Sequence, residues 1–442
     1  MQFENEQYDY VISGTSLYKS ILSAALSRAG QKVLHVDPNS YYGSENEASF
    51  DLATFSDLNE TQKGPKFDEF INDKSKNKKF VLDLCPRLLY ANGSMVKLLV
   101  KSKICRYLEF RNVSGFYIED EKDNKLISVP CSKSALFTTT NLSAIEKRKM
   151  MKFISDNSND SEEEKEAKKE IDENTVFGEY LKTLDLTPKL EKYISSCLAF
   201  SSKEDTLKTV KHRIDLFLTS YGKYGQSAFL FPLYGNAELH QAFCRLSAVF
   251  GATFCLNYEN PEKLKDTNKA KEFIFEDKKC QEKKLFKAAV IASEKLFKTD
   301  DKNDGVDLLI LDDNVTGFQI SGKGGNIAPV DSFVYYFSGP DLEVLKKRVE
   351  ELRRDVFGID VTIWYDLDHD HQTKKYLPLS PAKDQPSHIA TILLKEKVEC
   401  VFDYESEVSA AKAKFHELLG DDVEFLEAAP EPEDIIRDGG DK

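Results

Sequence analysis

The sequence predicts an α/β (α+β) fold, in which a Rossmann-like, dinucleotide-binding type of domain carries a smaller, inserted all-helical domain. Three observations predict it. The chain opens on a strand–helix–strand pattern. Amphipathic helical segments dominate about residues 141–221. Strand-rich sequence frames that run on both sides, which assigns residues 1–140 and 222–442 to one discontinuous domain and 141–221 to the helical one.

The elements follow in order. Tyr8–Ser13 (YDYVIS) reads as a buried strand. Leu17–Ala29 places Leu17, Ile21, Leu22, Ala25 and Leu26 on one helical face, and Lys32–Asp37 (KVLHVD) reads as a second strand ending in an acid. Residues 51–79 are polar and read as a surface excursion. Phe80–Leu84 resumes a strand, Met95–Lys103 reads as a helix, and Tyr107–Tyr117 and Leu126–Val129 as strands around a turn-like Glu119–Lys125. Asn141–Ile154 is helical, and Asp156–Asn174 is a charged, solvated helix or loop. Val176–Phe200 reads as two short helices broken near Leu186-Thr-Pro188, because proline favours a helix start. Thr206–Ser220 is another helix. An aromatic, glycine-containing loop then leads to a helix at Glu238–Phe250 and a strand near Thr253–Asn257. Beyond it lie short strands at Glu272–Phe275, Lys287–Ala292 and Phe333–Phe337, a charged helix at Leu342–Phe357, strands at Val361–Leu367 and His388–Leu394, a helix at Ala410–Leu419 and an acidic, proline-interrupted tail.

The first strand–helix turn has lost its ligand chemistry. A dinucleotide fingerprint needs glycine for the tight turn, for approach of the pyrophosphate and for close helix packing. In Gly14-Thr15-Ser16-Leu17-Tyr18-Lys19 only the first survives. Ser16 adds a side chain where phosphate should come closest, and Lys19 adds a long one near the strand–helix contact. Asp37 stands where an acid would bind ribose hydroxyls, or it is an ordinary strand-end acid. The expectation is a retained βαβ scaffold with no bound cofactor.

Composition narrows the function further. A net charge of −14 over 442 residues argues against a protein built to neutralise nucleic-acid phosphates, and 41% hydrophobic residues allow a large core. The first residues have no basic and apolar signal pattern, and no apolar run approaches membrane-spanning length. The C-terminal residues contain no cysteine to prenylate. Eight scattered cysteines fit reduced core residues of a cytosolic protein. Catalytic signatures are missing: there is no Gly-x-Ser-x-Gly elbow, phosphate loop or His-Glu-x-x-His. His369-Asp370-His371 is the one close histidine pair, in polar surroundings, and metal binding is not expected there. His35 reads as a core histidine.

Several segments taken together resemble one family. Tyr8–Gly43, with strand–Gly-Thr-x-Leu–helix–Val-Leu-His-x-Asp–Tyr-Tyr-Gly, is similar to the opening of the Rab GDP-dissociation inhibitor and Rab escort protein superfamily. Tyr221-Gly-Lys-Tyr-Gly225, Phe229-Leu-Phe-Pro-Leu-Tyr-Gly235 and Glu238-Leu-x-Gln-x-Phe-x-Arg245-Leu resemble its second signature block. Leu88-Leu-Tyr90 through Arg106-Tyr-x-Glu109-Phe fits both branches. Val129-Pro-Cys131-Ser132, Phe229-Leu-Phe231, Phe177-x-Glu-Tyr-Leu-Lys-Thr, Leu186-Thr-Pro188-x-Leu190 and the acidic Pro430-Glu-Pro432-Glu-Asp-Ile-Ile436 look like the escort branch. The resemblance covers about 1–257 and the last few dozen residues, and 260–400 match loosely.

The resemblance implies a GDI-like fold, with a large flavoprotein-like domain that binds no flavin and a smaller helical one. It implies a non-catalytic accessory that binds GDP-loaded Rab GTPases and presents their C-terminal cysteines to the α/β heterodimer of Rab geranylgeranyltransferase. It then shields the geranylgeranyl lipid and carries the Rab from cytosol to membrane. By resemblance, Tyr42, Glu238, Arg245 and Thr253 match the Rab-binding platform, and Cys131 and Phe137 are candidates for receiving the Rab tail. Read from the residues alone, Tyr42 packs and Glu238 opens a helix at its positive end. Phe177, Tyr180, Leu181, Leu190, Tyr193 and Ile194 line a lipid groove or dock the transferase on this reading, whereas helical spacing alone makes them core. An acid at Phe177 or Tyr193 is then expected to weaken transferase recruitment or lipid retention but spare Rab binding. Two rival expectations remain: an inhibitor that only recycles prenylated Rabs, and an FAD-dependent oxidoreductase.

Overall fold

The computed structural model describes residues 6–43, 47–57, 79–120, 125–157, 172–275, 284–292, 295–297, 305–312, 314–354, 359–365, 394–397 and 402–427. The elements run β1 (Tyr10–Ser13), α1 (Leu17–Arg28), β2 (Val33–Val36), β3 (Ser49–Phe50), α2 (Leu52–Asp57), β4 (Leu82–Asp83), β5 (Leu89–Tyr90), α3 (Ser94–Lys101), a 3₁₀ turn (Ile104–Tyr107), β6 (Phe110–Glu119) and β7 (Leu126–Ser128). The helical stretch holds α4 (Lys133–Thr138), α5 (Ala144–Asn157), α6 (Phe177–Thr183), α7 (Pro188–Lys192), which continues as a π turn (Tyr193–Leu198), and α8 (Leu207–Ser220). There follow β8 (Phe229–Pro232), α9 (Ala237–Val249), β9 (Thr253–Cys255), α10 (Leu264–Thr267), β10 (Glu272–Ile274), β11 (Lys284–Ala292), β12 (Val306–Ile310), β13 (Thr316–Ser321), β14 (Phe333–Gly339), α11 (Leu342–Arg354), β15 (Ile359–Tyr365), β16 (Leu394–Lys397) and α12 (Glu405–Leu419).

Two sheets organise the chain. The first is parallel, in the order β10-β1-β2-β9. The second is larger and mixed, in the order β15-β11-β14-β13-β12-β6-β8-β5, with β6 and β12 its parallel pair. Helix α1 lies between the parallel sheet, α9 and α12, so it is buried on every side rather than along one stripe. It can be crowded this way because small side chains line its contact with α9. Ser23 and Ser27 both reach the Ser247 hydroxyl, at 2.8 and 2.9 Å, and the Cys244 thiol donates to Ser20 at 3.4 Å.

The helical stretch shares one hydrophobic core with the mixed sheet. Phe177, Leu190, Ile194, Val210 and Phe217 lie in the same buried cluster as Ile118, Leu308 and Tyr336. Aromatic rings join the parts. Phe200 and Phe217 come from the helices, Phe116 and Phe229 from the sheet, and Phe402 precedes α12. Their ring centroids lie 4.2 Å apart for Phe200–Phe402, 5.1 Å for Phe229–Phe402 and 5.8 Å for Phe217–Phe229.

The structure bears out the opening βαβ unit and the break at Pro188, where Thr187 caps α7 and accepts the Leu190 N–H. It differs from the sequence expectations in several places, of which three bear on the core. Phe229–Pro232, expected as loop, is the buried strand β8. Strands β12 and β13 were not anticipated, because VDLLI is buried throughout and shows no alternation to read. Leu52–Asp57, in the expected excursion, is helical with Leu52 buried. The rest of that excursion, most of Asp156–Asn174, His369–His371 and the acidic tail lie outside the described residues.

Phe229 touches the four other rings of the junction and is fully buried. Phe229→Ala is expected to lower unfolding stability by about 3–5 kcal/mol in urea titration. A loss below about 1 kcal/mol would mean that the junction repacks and does not join the two parts.

Candidate functional site

The strand–turn–helix that would cradle a dinucleotide is filled by the protein itself. Gly14 has φ +88°, and a Cβ there would meet the Lys19 ammonium at 3.1 Å. Lys19 is buried, and its Nζ donates to the Phe275 carbonyl at 3.0 Å. At the N-terminus of α1 the Leu17 N–H donates to Glu47 Oε2 at 2.8 Å, and His240 Nε2 lies 3.0 Å from the same oxygen. Asp37 is fully buried, with Oδ2 accepting both the N–H and the hydroxyl of Thr15, at 2.7 and 2.6 Å, and Oδ1 accepting the Asn39 N–H at 2.8 Å. The Gly43 N–H donates to the Thr15 hydroxyl at 2.9 Å. A dinucleotide does not fit these residues. Its diphosphate would meet a carboxylate at the helix N-terminus, and its ribose would meet an acid already committed to the turn.

The residues read as a Rab platform lie around α9. Its start is held from below: Asp83 accepts the Asn236 N–H at 3.0 Å and the Ser49 hydroxyl, and Asn236 Nδ2 donates to the Arg87 carbonyl and the Tyr404 hydroxyl, each at 2.9 Å. Burial pushes the Asp83 carboxyl up to about 6. Glu238 sits in the first turn of α9. Burial, helped by the Glu109 charge, pushes it up to about 7, and its Oε2 is buried without a hydrogen-bond partner among the described residues. Arg245, two turns later, holds its guanidinium 4.5 Å above the ring of Tyr107, which is largely exposed. Glu238 and Arg245 thus face the same segment, 107–109. Tyr42 comes from the loop after β2. It is half-buried, with its ring edge-on to Phe254 at 6.3 Å, and burial raises its hydroxyl above the usual range. Thr253 points elsewhere. Its neighbour Phe254 shares a sheet face with His35 and Tyr42, while the Thr253 hydroxyl bonds Tyr8 on the other face.

The other candidates divide. Phe137 is 69% exposed on α4, as is Ile145 on α5. Cys131 is only half-exposed. Its thiol donates to the Val129 carbonyl at 3.4 Å, and burial pushes it up to about 12, so it is a neutral thiol here. Phe177, Leu181, Leu190, Tyr193 and Ile194 are all buried in the shared core, with Tyr180 packed against it. Their burial matches the core packing that helical spacing predicts, and a role as lipid groove or transferase dock would need the helices to part. In the closed helical stretch none of the five can meet a partner, and an acid at Phe177 or Tyr193 would break the core before it tested recruitment. The Tyr193 hydroxyl is buried with no partner among the described residues. Also among the described residues, no cluster of His, Cys, Asp and Glu could hold a metal, and no helix is long and apolar enough to cross a membrane.

Sequence reasoning missed Glu47, His240, Asp83 and Tyr107. His240 stands within the second signature block and Glu47 four residues past the first, but 193 positions separate them, and neither local pattern discloses the pairing.

The chain is similar to known proteins in sequence and in overall fold. Residues 4–301 match the family described as GDP dissociation inhibitor. The chain is 29% identical over 489 aligned positions to Rab proteins geranylgeranyltransferase component A from Drosophila melanogaster, covering 99% of this chain and 93% of that protein. It is 35% identical over 259 positions to Rab GDP dissociation inhibitor beta from Canis lupus familiaris, covering 57% of this chain and 56% of that one. Among solved structures, a Rab GDI from Plasmodium falciparum superposes with a TM-score of 0.70 at 20% identity, over 95% of this chain and all of that one.

The buried carboxyl of Glu238 has a pH signature. Its folded value, about 7, lies above the ordinary value of 4.5. Between these values the folded chain holds more protons than the unfolded one, so the contribution of Glu238 to stability falls as pH rises through the window. Glu238→Gln removes that fall. Its melting temperature relative to the unaltered protein is expected to climb from pH 5 to pH 8, and a difference independent of pH would refute the assignment.

Proposed function

The chain belongs to the GDP dissociation inhibitor family, and from that premise we propose that it is an escort for Rab GTPases. It binds newly made Rab in the GDP form, presents the Rab C-terminal cysteines to the α/β heterodimer of Rab geranylgeranyltransferase, shields the attached geranylgeranyl chains and delivers the lipidated Rab to membranes. It makes and breaks no bond itself, and it works in the cytosol with transient membrane contact.

The observation that carries this reading is the flank of α9. Arg245 lies over the exposed Tyr107 there, Glu238 stands near the Glu109 charge, and the half-buried Tyr42 packs edge-on to Phe254, on a scaffold whose nucleotide cradle is closed by its own side chains. Arg and Tyr are the side chains most often found at binding hot spots, since both offer large contact area and directed donors. Thr253, on the far face of its strand, supports the platform from behind. Exposed Phe137 suits an extended, flexible Rab tail, with Cys131 beneath that surface.

The lipid needs apolar cover, at about 0.8 kcal/mol per buried CH₂. We place it between the helices of the 141–221 unit, with the rest of the chain forming the platform domain. Phe177, Leu181, Leu190, Tyr193 and Ile194 would line that space when the helices part, and the Tyr193 hydroxyl, buried without a partner among the described residues, would gain one there.

The inhibitor reading has one observation in its favour, the higher identity to Rab GDP dissociation inhibitor beta over about half of the chain. Similarity to component A along nearly the whole chain favours the escort.

The test is prenylation of GDP-form Rab by the purified α/β heterodimer, with and without this protein. The escort reading expects product only when it is present. Strong binding to lipidated Rab without any stimulation would make the protein a recycling inhibitor. In the same system, Tyr42→Ala with Arg245→Ala is expected to weaken binding of unlipidated GDP-form Rab by at least about tenfold, or ~1.4 kcal/mol. Equal binding by the double variant and the unaltered protein would remove the α9 platform.

A further inference from the structure

We propose that Glu47 is a resident anion. It stands where the fold would otherwise hold the diphosphate of a dinucleotide, and by doing so it positions the loop that carries Tyr42 against α1 and α9.

Three contacts argue for it. First, the Leu17 N–H at the start of α1 donates to Glu47 Oε2 at 2.8 Å. The N-terminus of a helix of this length carries a partial positive charge and donors that favour an anion. Second, His240 is fully buried on α9, and its Nε2 lies 3.0 Å from the same oxygen. A carboxylate oxygen only accepts, so Nε2 carries the proton. Third, the Lys19 ammonium covers Gly14, the one surviving glycine of the turn, where a phosphate would otherwise approach the backbone. One carboxylate oxygen thus meets a backbone N–H at the helix start and the Nε2 of a buried imidazole together.

The consequence reaches the surface through a short path. Glu47 lies four residues after Gly43, whose N–H is held by Thr15, and two before Ser49, whose hydroxyl is held by Asp83 at the start of α9. Tyr42 therefore leaves a segment anchored at Gly43, Glu47 and Ser49. Two of these anchors reach α9, the helix that presents Glu238 and Arg245. The claim that Glu47 positions the binding surface rests on the platform reading above. The claim that it replaces a diphosphate does not.

The experiment has one arm for each claim. Glu47→Ala leaves the Leu17 N–H and the His240 Nε2–H facing a hollow of the shape and charge that an anion fills. It is expected to melt below the unaltered protein. Inorganic pyrophosphate at millimolar concentration, against sodium chloride of equal ionic strength, is expected to raise the melting temperature of the variant by about 2 °C and leave the unaltered protein unmoved. Pyrophosphate acting on both proteins alike, or on neither, overturns the resident anion. Glu47→Ser carries the same test if Glu47→Ala does not fold. In the second arm, Glu47→Gln keeps an acceptor for Leu17 but loses the charge. It is expected to weaken GDP-form Rab binding about tenfold, and to add little in a Tyr42→Ala background. Additive losses would overturn positioning through Tyr42. If Tyr42→Ala has no effect while pyrophosphate rescue persists, the platform reading fails and the resident anion stands.

Discussion

The donors buried at the turn between β1 and α1 need acceptors, and in this protein the acceptors are its own side chains. A strand–turn–helix of this kind aims backbone N–H groups at one point. Leaving them unmet in a buried site costs about 1–3 kcal/mol each. Glu47 meets one at Leu17 and Asp37 another at Thr15, while Lys19 closes the space over Gly14. Asp37, Gly43 and Glu47, which follow β2, are each bonded to the turn that begins the fold. The start of α9 is tied to the same neighbourhood through His240 and Asp83. A ligand site has become a set of internal fastenings.

Local rules made the regular parts legible. Helix α1 announced itself by apolar spacing, β2 by a short, mostly apolar run with a terminal acid, and the start of α7 by Thr187-Pro188. Each depends on neighbours within a few residues. The parts that stayed hidden depend on partners far away in the chain. Strand β12 is buried throughout, Asp307 included, because it is covered on both faces, and it offered no period to recognise. The Glu47–His240 contact joins two segments whose own patterns are a loop and an amphipathic helix. For Phe177, Leu190 and Ile194 the two lines of sequence reasoning disagreed. Helical spacing read core, resemblance read a groove, and the closed structure sides with spacing.

That closed core bears on how the helical stretch could work. Its apolar residues are continuous with those of the mixed sheet, and the ring cluster of Phe116, Phe200, Phe217, Phe229 and Phe402 sits across the join. Motion that exposes the helices to a lipid must therefore leave this join intact and separate the outer helices from one another. The exposed Phe137 and Ile145 lie on that outer side.

Ser247 shares its one hydroxyl between Ser23 and Ser27, a full turn apart on α1. A slide of α9 along α1 by one turn, about 5.4 Å, would strand both serines in a buried seam. Shifts smaller than that would lengthen one bond as they shorten the other. The seam therefore acts as a ruler. The height at which α9 holds the exposed Arg245 and the half-buried Glu238 is dictated from inside the protein, by the buried hydroxyl of Ser247.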